Sequence, residues 1–445
     1  MTELGKLRIA VVGAGIAGLG AAWLLSRRHD VDLYEAEPRP GGHANTVEID
    51  DRGRRLPVDT GFIVYNETNY PNLTALFDRL AVPTKPSDMS FSVSLAGGRL
   101  EYAGGRGARG LLAQPANILR PRFQRMLRDV LRFYRDAPQA LAAGRLAGLS
   151  LRDMLETDGY GAAFREDHLL PMAAAIWSGG CDEMLDFPAE SLVRFFDNHG
   201  LLRLRDRPQW RSVSGGSREY VRRMLDAMPE TTLRLNSPVA ALRRHPGRVE
   251  LVTWQGAQRD YDQVILATHG DQALRLLSDP TPIETAVLGG FRYRSNRAVL
   301  HRDPALMPRG KAAWASWNAM TRPRPDGGRD ISVSYWMNRL QSLDTDRPVI
   351  VSLDPFVEPA PNCRLGEFAY RHPQFDLGAL EAQGRLPGIQ GMRNTWFCGS
   401  YTGYGFHEDA LMSGFAVADA LGAAAPWDID LPVHLRPRAG LRESA

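Results

Sequence analysis

LRIAVVGAGIAGLGAAWLLSRRHDVDLYEAE, Leu7 to Glu37, reads as strand, tight turn, helix and second strand. Leu7 to Val12 is a short run of β-favouring residues, Ala14 to Ser26 has a helix-forming composition, and Val31 to Tyr34 alternates apolar and polar side chains before Glu35. Gly13 permits the turn, Gly15 lets a pyrophosphate approach the backbone, and Gly18 lets the helix pack closely on the strand. The helix then starts at Ile16 and Ala17 with its positive end turned to the phosphates. Glu35, followed by Ala36, stands at the distance from Gly18 where a carboxylate accepts hydrogen bonds from a ribose. A strand, three glycines, a helix and an acidic residue in this register predict an α/β dinucleotide-binding unit.

At 445 residues the chain exceeds one ordinary core, which predicts two domains or one domain with an insertion. With 44% apolar and 24% charged residues it is globular, and the formal charge of +3 excludes a polyanion-coating protein and makes nucleic acid an unexpected partner. Among 54 basic residues only Lys6, Lys85 and Lys311 are lysine, so each of the three is a chemical candidate. Cys181, Cys363 and Cys398 lack metal-site spacing and form no even set, so no metal site is expected and a reducing cytoplasm fits. The apolar run Ile9 to Leu25 is interrupted by the motif glycines and lacks a cleavage pattern, and no other segment has the length of a membrane span, so a soluble or peripheral protein is expected.

Beyond Glu35 a second glycine pair, Gly41 and Gly42, is followed by His43 and then by VDTGF, Val58 to Phe62, with Gly61 and Val64 at its end. Near the other end of the chain FCGSYTGYGFHEDALMSG, Phe397 to Gly414, combines a strand end, a glycine turn at Gly399 and a helix start. Together these stretches resemble the flavin amine oxidase superfamily, which includes monoamine and polyamine oxidases, protoporphyrinogen oxidase and phytoene desaturases. The resemblance implies noncovalently bound FAD held jointly by the two chain ends. It implies roles for the GG element including His43, where many members carry arginine, and for Ser400, where they carry Glu or Asp. It extends these roles to the helix start His407, Glu408, Asp409 and Ala410, with Ala410, Ser413, Gly414 and Ala418 forming a small face toward the cofactor. The middle segment from Leu235 to Gly270 reads as strand, hairpin and strand, and the resemblance places Val239 against adenine and Thr268 at the cofactor. The implied architecture is a Rossmann-type FAD-binding domain with an inserted α+β substrate domain, as in monoamine oxidases. The first would be assembled from residues 1–85, 205–290 and 388–430, the second from 86–204 and 291–387, with a C-terminal tail at 431–445.

Two departures bear on the substrate. Amine oxidases of the superfamily commonly use a strand lysine near the flavin, whereas the matching stretch Arg292 to Pro304 has Asn296 there and His301 soon after. An aromatic-cage tyrosine is replaced by Phe406, which also suits a hydrocarbon. The phrases DTGFIVYNETNYPNL, AAWASWNAM and CGSYTGYGFHEDA resemble a narrower group of bacterial flavoproteins, similar to desaturases of methyl-branched acyl chains in furan fatty acid formation. That resemblance implies removal of a hydride and a proton from a lipid acyl chain to give a conjugated diene. An amine oxidase releasing imine and hydrogen peroxide, or a flavin-binding protein without turnover, stays open as an alternative. Tyr65, Asn66, His301, Tyr404 and His407 are the catalytic candidates, with Tyr401, Trp317 and Trp336 nearby, while Trp177 and Trp210 are expected to be packing residues.

Pro121 to Ala137 predicts a helix with Phe123, Leu127, Val130 and Tyr134 on one stripe and Arg125, Arg128, Arg132 and Arg135 on another. Either the apolar stripe enters the core, or the helix lies on anionic lipid at the inner face of the cell membrane. A homodimer is left open.

Overall fold

The computed structural model describes residues 5–105 and 107–436, so residues 437–445 of the tail lie outside the described residues. The opening motif folds as a parallel sheet of five strands in the order Thr232–Arg234, Asp30–Tyr34, Arg8–Val12, Gln263–Leu266, Thr395–Phe397. Ile9, Ala10 and Val11 are fully buried because a parallel sheet is covered on both faces. All ten residues of the helix Ile16–Leu25 are buried as well. One side of that helix faces the sheet, and the other receives the C-terminal helix His407–Ala420. Contact between the two helices is at backbone range, since a Cβ on Gly414 would lie 2.2 Å from the carbonyl oxygen of Ala17. Gly414 therefore serves the packing of the two chain ends rather than the cofactor face expected of it. Ser413 likewise turns inward, its hydroxyl accepting from Gly399 N–H at 2.9 Å and donating to Ala410 C=O at 2.7 Å.

A three-stranded antiparallel sheet, Val239–His245, Arg248–Thr253 and Gln258–Tyr261, follows the first strands. The second large sheet has seven strands in the order Arg364–Gln374, Arg292–His301, Ile350–Leu353, Arg329–Trp336, Trp317–Pro323, Phe91–Leu95, Leu100–Gly104. It is antiparallel except where Trp317–Pro323 runs parallel to Phe91–Leu95. Helices between residues 121 and 198 pack with it into one large core cluster. The molecule is thus a parallel Rossmann-type layer joined to an α+β unit, with a cleft between them.

The helix opened by Pro121 runs to Ala142 and buries Phe123, Met126, Val130, Phe133, Ala137 and Ala140. Leu127 and Tyr134 pack against the same core, so the expected apolar stripe faces inward and is not a lipid-facing surface. Its arginines diverge: Arg122 binds Glu166 and Asp167, Arg132 lies 4.0 Å over the Tyr160 ring, and Arg125 and Arg128 face solvent. Among the described residues no helix is long and apolar enough to cross a membrane.

Candidate active site

The glycine turn after the first strand has the shape a pyrophosphate requires. Gly13 adopts φ +106°, and a Cβ there would lie 2.6 Å from Ala267 C=O. Gly15 differs, for a Cβ on it would meet no protein atom within 4 Å. Its open side faces the cleft, at the N-terminus of the buried helix. Glu35 braces the turn by accepting from Ala14 N–H at 2.9 Å, and its other oxygen accepts from Glu37 N–H at 3.0 Å. The second glycine pair is pinned in front of it, Gly41 N–H donating to Ala14 C=O at 2.7 Å and the Arg39 guanidinium to Gly42 C=O at 3.0 Å. Phe62 N–H donates to His43 C=O at 2.8 Å, which stitches the VDTGF element to the same loop.

These loops border a cavity of about 1470 Å³ that continues into the second sheet. A single small-molecule pocket is roughly 300–1,000 Å³, so this one has room for a dinucleotide cofactor and a further ligand. Gly13, Gly15, Ile16, Ala17, Glu35, Ala36, Gly41, Gly42, His43, Gly61 and Val64 line it from the N-terminal segment. Val239 and Thr268 line it from the middle, and Gly399, Ser400, Tyr401, His407 and Ala410 from the C-terminal segment. Both chain ends therefore meet at one cleft. His43 Nε2 and His269 Nδ1 are buried there without a hydrogen-bond partner. Polar atoms buried in this way call for a ligand, and with the open side of Gly15 and the free acceptor capacity of Glu35 they fit FAD.

Besides Ser413, Gly414 and Ala418, three expected cofactor residues stand outside the cavity wall. Gly18 lies beneath the turn, where a Cβ would be 1.9 Å from Gly13 C=O. Asp409 caps its own helix by accepting from Phe406 N–H at 2.9 Å. Glu408 points away from the cleft and caps another helix, Pro71–Arg79, accepting from Asn72 N–H at 2.9 Å, Asn72 Nδ2 at 2.7 Å and Leu73 N–H at 3.0 Å. Burial pushes its carboxyl up and these donors hold it down. Glu408→Ala leaves three buried donors unpaired and is expected to cost roughly 3–5 kcal/mol in a denaturant melt, with Glu408→Gln recovering about half. A loss under 1 kcal/mol from Glu408→Ala, by about the same reckoning, contradicts the capping role.

Of the catalytic candidates only His407 lines the cavity. Tyr65 is buried against Tyr70 and Phe77, and Asn66 is fully buried with its Oδ1 accepting from Asn69 N–H. The two pair as a short strand with Arg211 and Trp210, and although they face opposite sides of it, both are buried and neither lines the cavity. His301 sits at the far end of its strand, bonded to Ser352 Oγ at 2.8 Å. Tyr404 packs beside Phe195 and uses its carbonyl to accept from Trp177. Trp336 packs on Trp314, whereas Trp317 lines the cavity and so does Trp210, which corrects its expected role as packing only. Trp177 lies in the core.

Sequence reasoning missed His269, His372 and Tyr370. The His43 ring lies 5.3 Å from His372, 6.4 Å from His269 and 5.0 Å from Tyr370. Burial lowers the imidazoles of His43 and His269 to about 4, and those of His372 and His407 to about 3. All four are neutral at pH 7. His407 is stacked on Phe62 at 3.8 Å and takes a hydrogen bond with Tyr220 Oη at 3.2 Å. The only available signal for His372 was its place in the alternating strand Arg364–Gln374, whose Phe368, Tyr370 and His372 share one face.

Toward the second sheet the cavity wall changes character. Met89, Phe91, Met172, Ile176, Leu201 and Leu353 line this end, with Phe406 stacked on Phe195 at 4.7 Å. Among the described residues, the Asp, Glu, Lys and Arg residues of the wall are Glu35, Glu37 and Arg39 from the N-terminal loops, Arg275, and Arg371 on the strand Arg364–Gln374 of the second sheet. Arg275 and Arg371 are both paired with Asp271, beside the strand end at Thr268. No cysteine lines the cavity among the described residues.

Comparison with solved structures returns the same architecture. A fatty acid isomerase of P. acnes that produces CLA superposes with a TM-score of 0.64 at 16% identity, covering 94% of this chain and 98% of that one. Putrescine oxidase bound to putrescine gives 0.65 at 17% (94% and 99%), and cyclohexylamine oxidase of Brevibacterium oxydans IH-35A gives 0.63 at 15% (94% and 100%). A zeta-carotene desaturase of Zea mays is 42% identical over 52 residues, a stretch that spans 12% of this chain and only 9% of that protein. The sequence pattern of the flavin containing amine oxidoreductases matches residues 16–299. With the cleft built from both chain ends and the pattern matched over more than half its length, the chain belongs to the flavin containing amine oxidoreductase family and is an FAD-dependent oxidoreductase.

Proposed function

We propose that the protein desaturates a lipid-like hydrocarbon, removing a hydride and a proton from a methyl-branched unsaturated fatty acyl chain to give a conjugated diene. The observation that carries this reading is the apolar end of the cavity, where among the described residues the wall offers no carboxylate to hold an ammonium group. A cationic amine would leave water there without a partner, which costs several kcal/mol by the general price of burying an unpaired ion. An acyl chain strips no ionic hydration on entry and gains about 0.8 kcal/mol for each methylene buried, set against the entropy of ordering it.

Bound FAD supplies the two-electron acceptor for the hydride. The chain's own residues do the rest. Gly15, Glu35 and His43 hold the cofactor, Ile176, Met172 and Leu353 exclude water from the reacting carbon, and Phe195 and Phe406 narrow the space so that the chain lies in one orientation. Substrate is drawn from the anionic inner face of the cell membrane. Leu201 is in the cavity wall, and three residues on Leu204 is 70% exposed between the solvent-facing Arg203, Arg205 and Arg207. Leu131 is exposed on the neighbouring helix, whose Tyr134 bonds Arg207.

Anaerobic mixing of the yellow holoenzyme with vesicles carrying methyl-branched unsaturated chains tests both parts. Flavin bleaching is expected with these lipids and not with putrescine, faster by about tenfold in anionic than in zwitterionic vesicles and losing that advantage at high salt. Bleaching by putrescine alone, with peroxide formed on admitting air, sinks the desaturase reading in favour of an amine oxidase. No bleaching by either supports a flavin-binding protein without turnover.

A further inference from the structure

The strand position where an amine oxidase lysine is expected holds Asn296, and the structure shows what Asn296 does. Its amide is clamped from two sides: Nδ2 donates to Ser178 C=O at 3.0 Å and to Asp354 Oδ2 at 2.8 Å. Asp354 is fixed in turn, its other oxygen accepting from Arg297 N–H at 2.8 Å. Two acceptors facing one end of the amide settle its orientation, so Oδ1 is the end that faces His372 Nδ1, 2.7 Å away. An amide oxygen only accepts. His372 must therefore carry its proton on Nδ1, which leaves Nε2 as a bare lone pair. His372 lines the cavity, beside His43 and on the same strand face as Tyr370 and Phe368. The two residues that clamp the amide, Ser178 and Asp354, both adopt left-handed backbone, at φ +52° and +46°. Strain of that kind persists where the surroundings over-determine it.

We propose that His372 is the proton acceptor of this site, with Asn296 and Asp354 as positioning residues that lock the tautomer. The proposal rests on the reading above for the identity of the substrate. In the balanced step a substrate C–H electron pair leaves as hydride to the oxidised flavin, and the neighbouring C–H bond releases its proton to His372 Nε2. The electrons of that second bond become the new C=C. Nδ1–H stays on Asn296 throughout, so the imidazolium keeps its hydrogen bond to the amide. Hydride transfer also brings one negative charge into the same enclosed space, which offsets the imidazolium. Burial first, and then the neighbouring His43 and His269, lower the proton affinity of His372 while the space holds no such charge.

Nitrogen NMR of histidine-labelled holoenzyme at pH 7 tests the tautomer without any substrate. A neutral imidazole protonated on Nδ1 is expected beside that of His199, whose Nδ1 donates to Phe195 C=O at 2.9 Å, and the His372 signal is the one absent in His372→Gln and shifted toward the Nε2–H form in Asn296→Leu. An Nε2–H tautomer or an imidazolium at His372 overturns the proposal even if the lipid reading fails. Flavin reduction is then followed with branched-chain lipid and in parallel with putrescine, so that the variants are compared on whichever donor bleaches the wild type. His372→Gln is expected to slow it by about 100-fold or more, as general-base loss does, while FAD content and reduction by dithionite stay at wild-type level. Asn296→Leu is expected to lose about tenfold through the tautomer alone, within the range for a group acting through another. An unchanged reduction rate in His372→Gln overturns the base role.

Discussion

Gly15→Val is expected to give a folded, colourless protein. Gly15 has φ −73° and ψ 179°, extended backbone that a β-branched residue adopts readily, and a Cβ there touches nothing in the protein. The fold has no reason to object, so the apoprotein melt should move by no more than roughly 0.5 kcal/mol, the usual range for a substitution without lost contacts. The valine methyls instead project into the cleft at the N-terminus of the buried helix, where backbone N–H groups must reach an anion. Each hydrogen bond to a charged group is worth about 1.5–3 kcal/mol, and the loss of two raises the FAD dissociation constant by about 100-fold or more. Gly13→Ala should behave in the opposite way. Its φ of +106° and the 2.6 Å approach to Ala267 C=O set the strain inside the protein, so stability falls as well as cofactor content. Flavin absorbance per chain, a fluorescence titration with FAD and melts of the apoproteins separate the two cases. A yellow Gly15→Val protein with wild-type affinity would remove the pyrophosphate from this turn and with it the whole placement of the cofactor.

The two glycine variants differ because the turn is a local object, and that is also why it was legible in the sequence. Strand, turn, helix and strand follow one another within about thirty residues, the usual span of such a unit, and the contacts that matter are between near neighbours. Residues whose position depends on distant pairing were not legible. Arg292–His301 finds its partner in Arg364–Gln374, some seventy residues on, with Asn296 opposite Tyr370. Nothing near Asn296 in sequence announces that its amide is held by Ser178 and Asp354, or that its oxygen orients His372. Tyr65 and Asn66 illustrate the companion failure. They follow the VDTGF element closely, but the short strand they form pairs with Trp210 and Arg211, and in a strand the face alternates at every residue. Proximity in sequence to Val64, which does line the cavity, therefore said little about where they point. The stripe in the helix Pro121–Ala142 was legible as a pattern, whereas its occupant, the protein's own core, depends on helices assembled later in the chain.

His301 shows what a histidine does when it is structural. Its Nδ1 accepts from Asp303 N–H at 3.1 Å, so Nε2 carries the proton and donates to Ser352 Oγ at 2.8 Å. A second proton would have to enter on Nδ1, against an N–H already aimed there, in a side chain with no exposure. Burial accordingly lowers the imidazole from 6.5 to about 4. Above pH 6.5 neither the folded nor the unfolded chain holds that proton, and His301 has no effect on pH dependence. As pH falls below 6.5 the unfolded state takes the proton first, so stability is lost progressively down to about pH 4. At about 1.36 kcal/mol per pH unit, the loss by pH 4.5 is roughly 2–3 kcal/mol for this one side chain. His168 and His199, also lowered to about 4 by burial, push in the same direction. Asp59 and Asp409, raised by burial to about 6 and about 7, oppose them, because there the folded state binds the proton first and gains stability on acidification. The net curve mixes both signs, and a variant is needed to isolate one. His301→Gln keeps a donor for Ser352 and cannot titrate. It is expected to be less stable than wild type at pH 7 by about 1–2 kcal/mol, through the unsatisfied Asp303 N–H, and to lose roughly 2–3 kcal/mol less than wild type between pH 7 and about 4.5. Denaturant melts of both apoproteins across that range read the difference directly. Parallel curves would mean that His301 is protonated in the folded state at acid pH, which its bond from Asp303 N–H forbids.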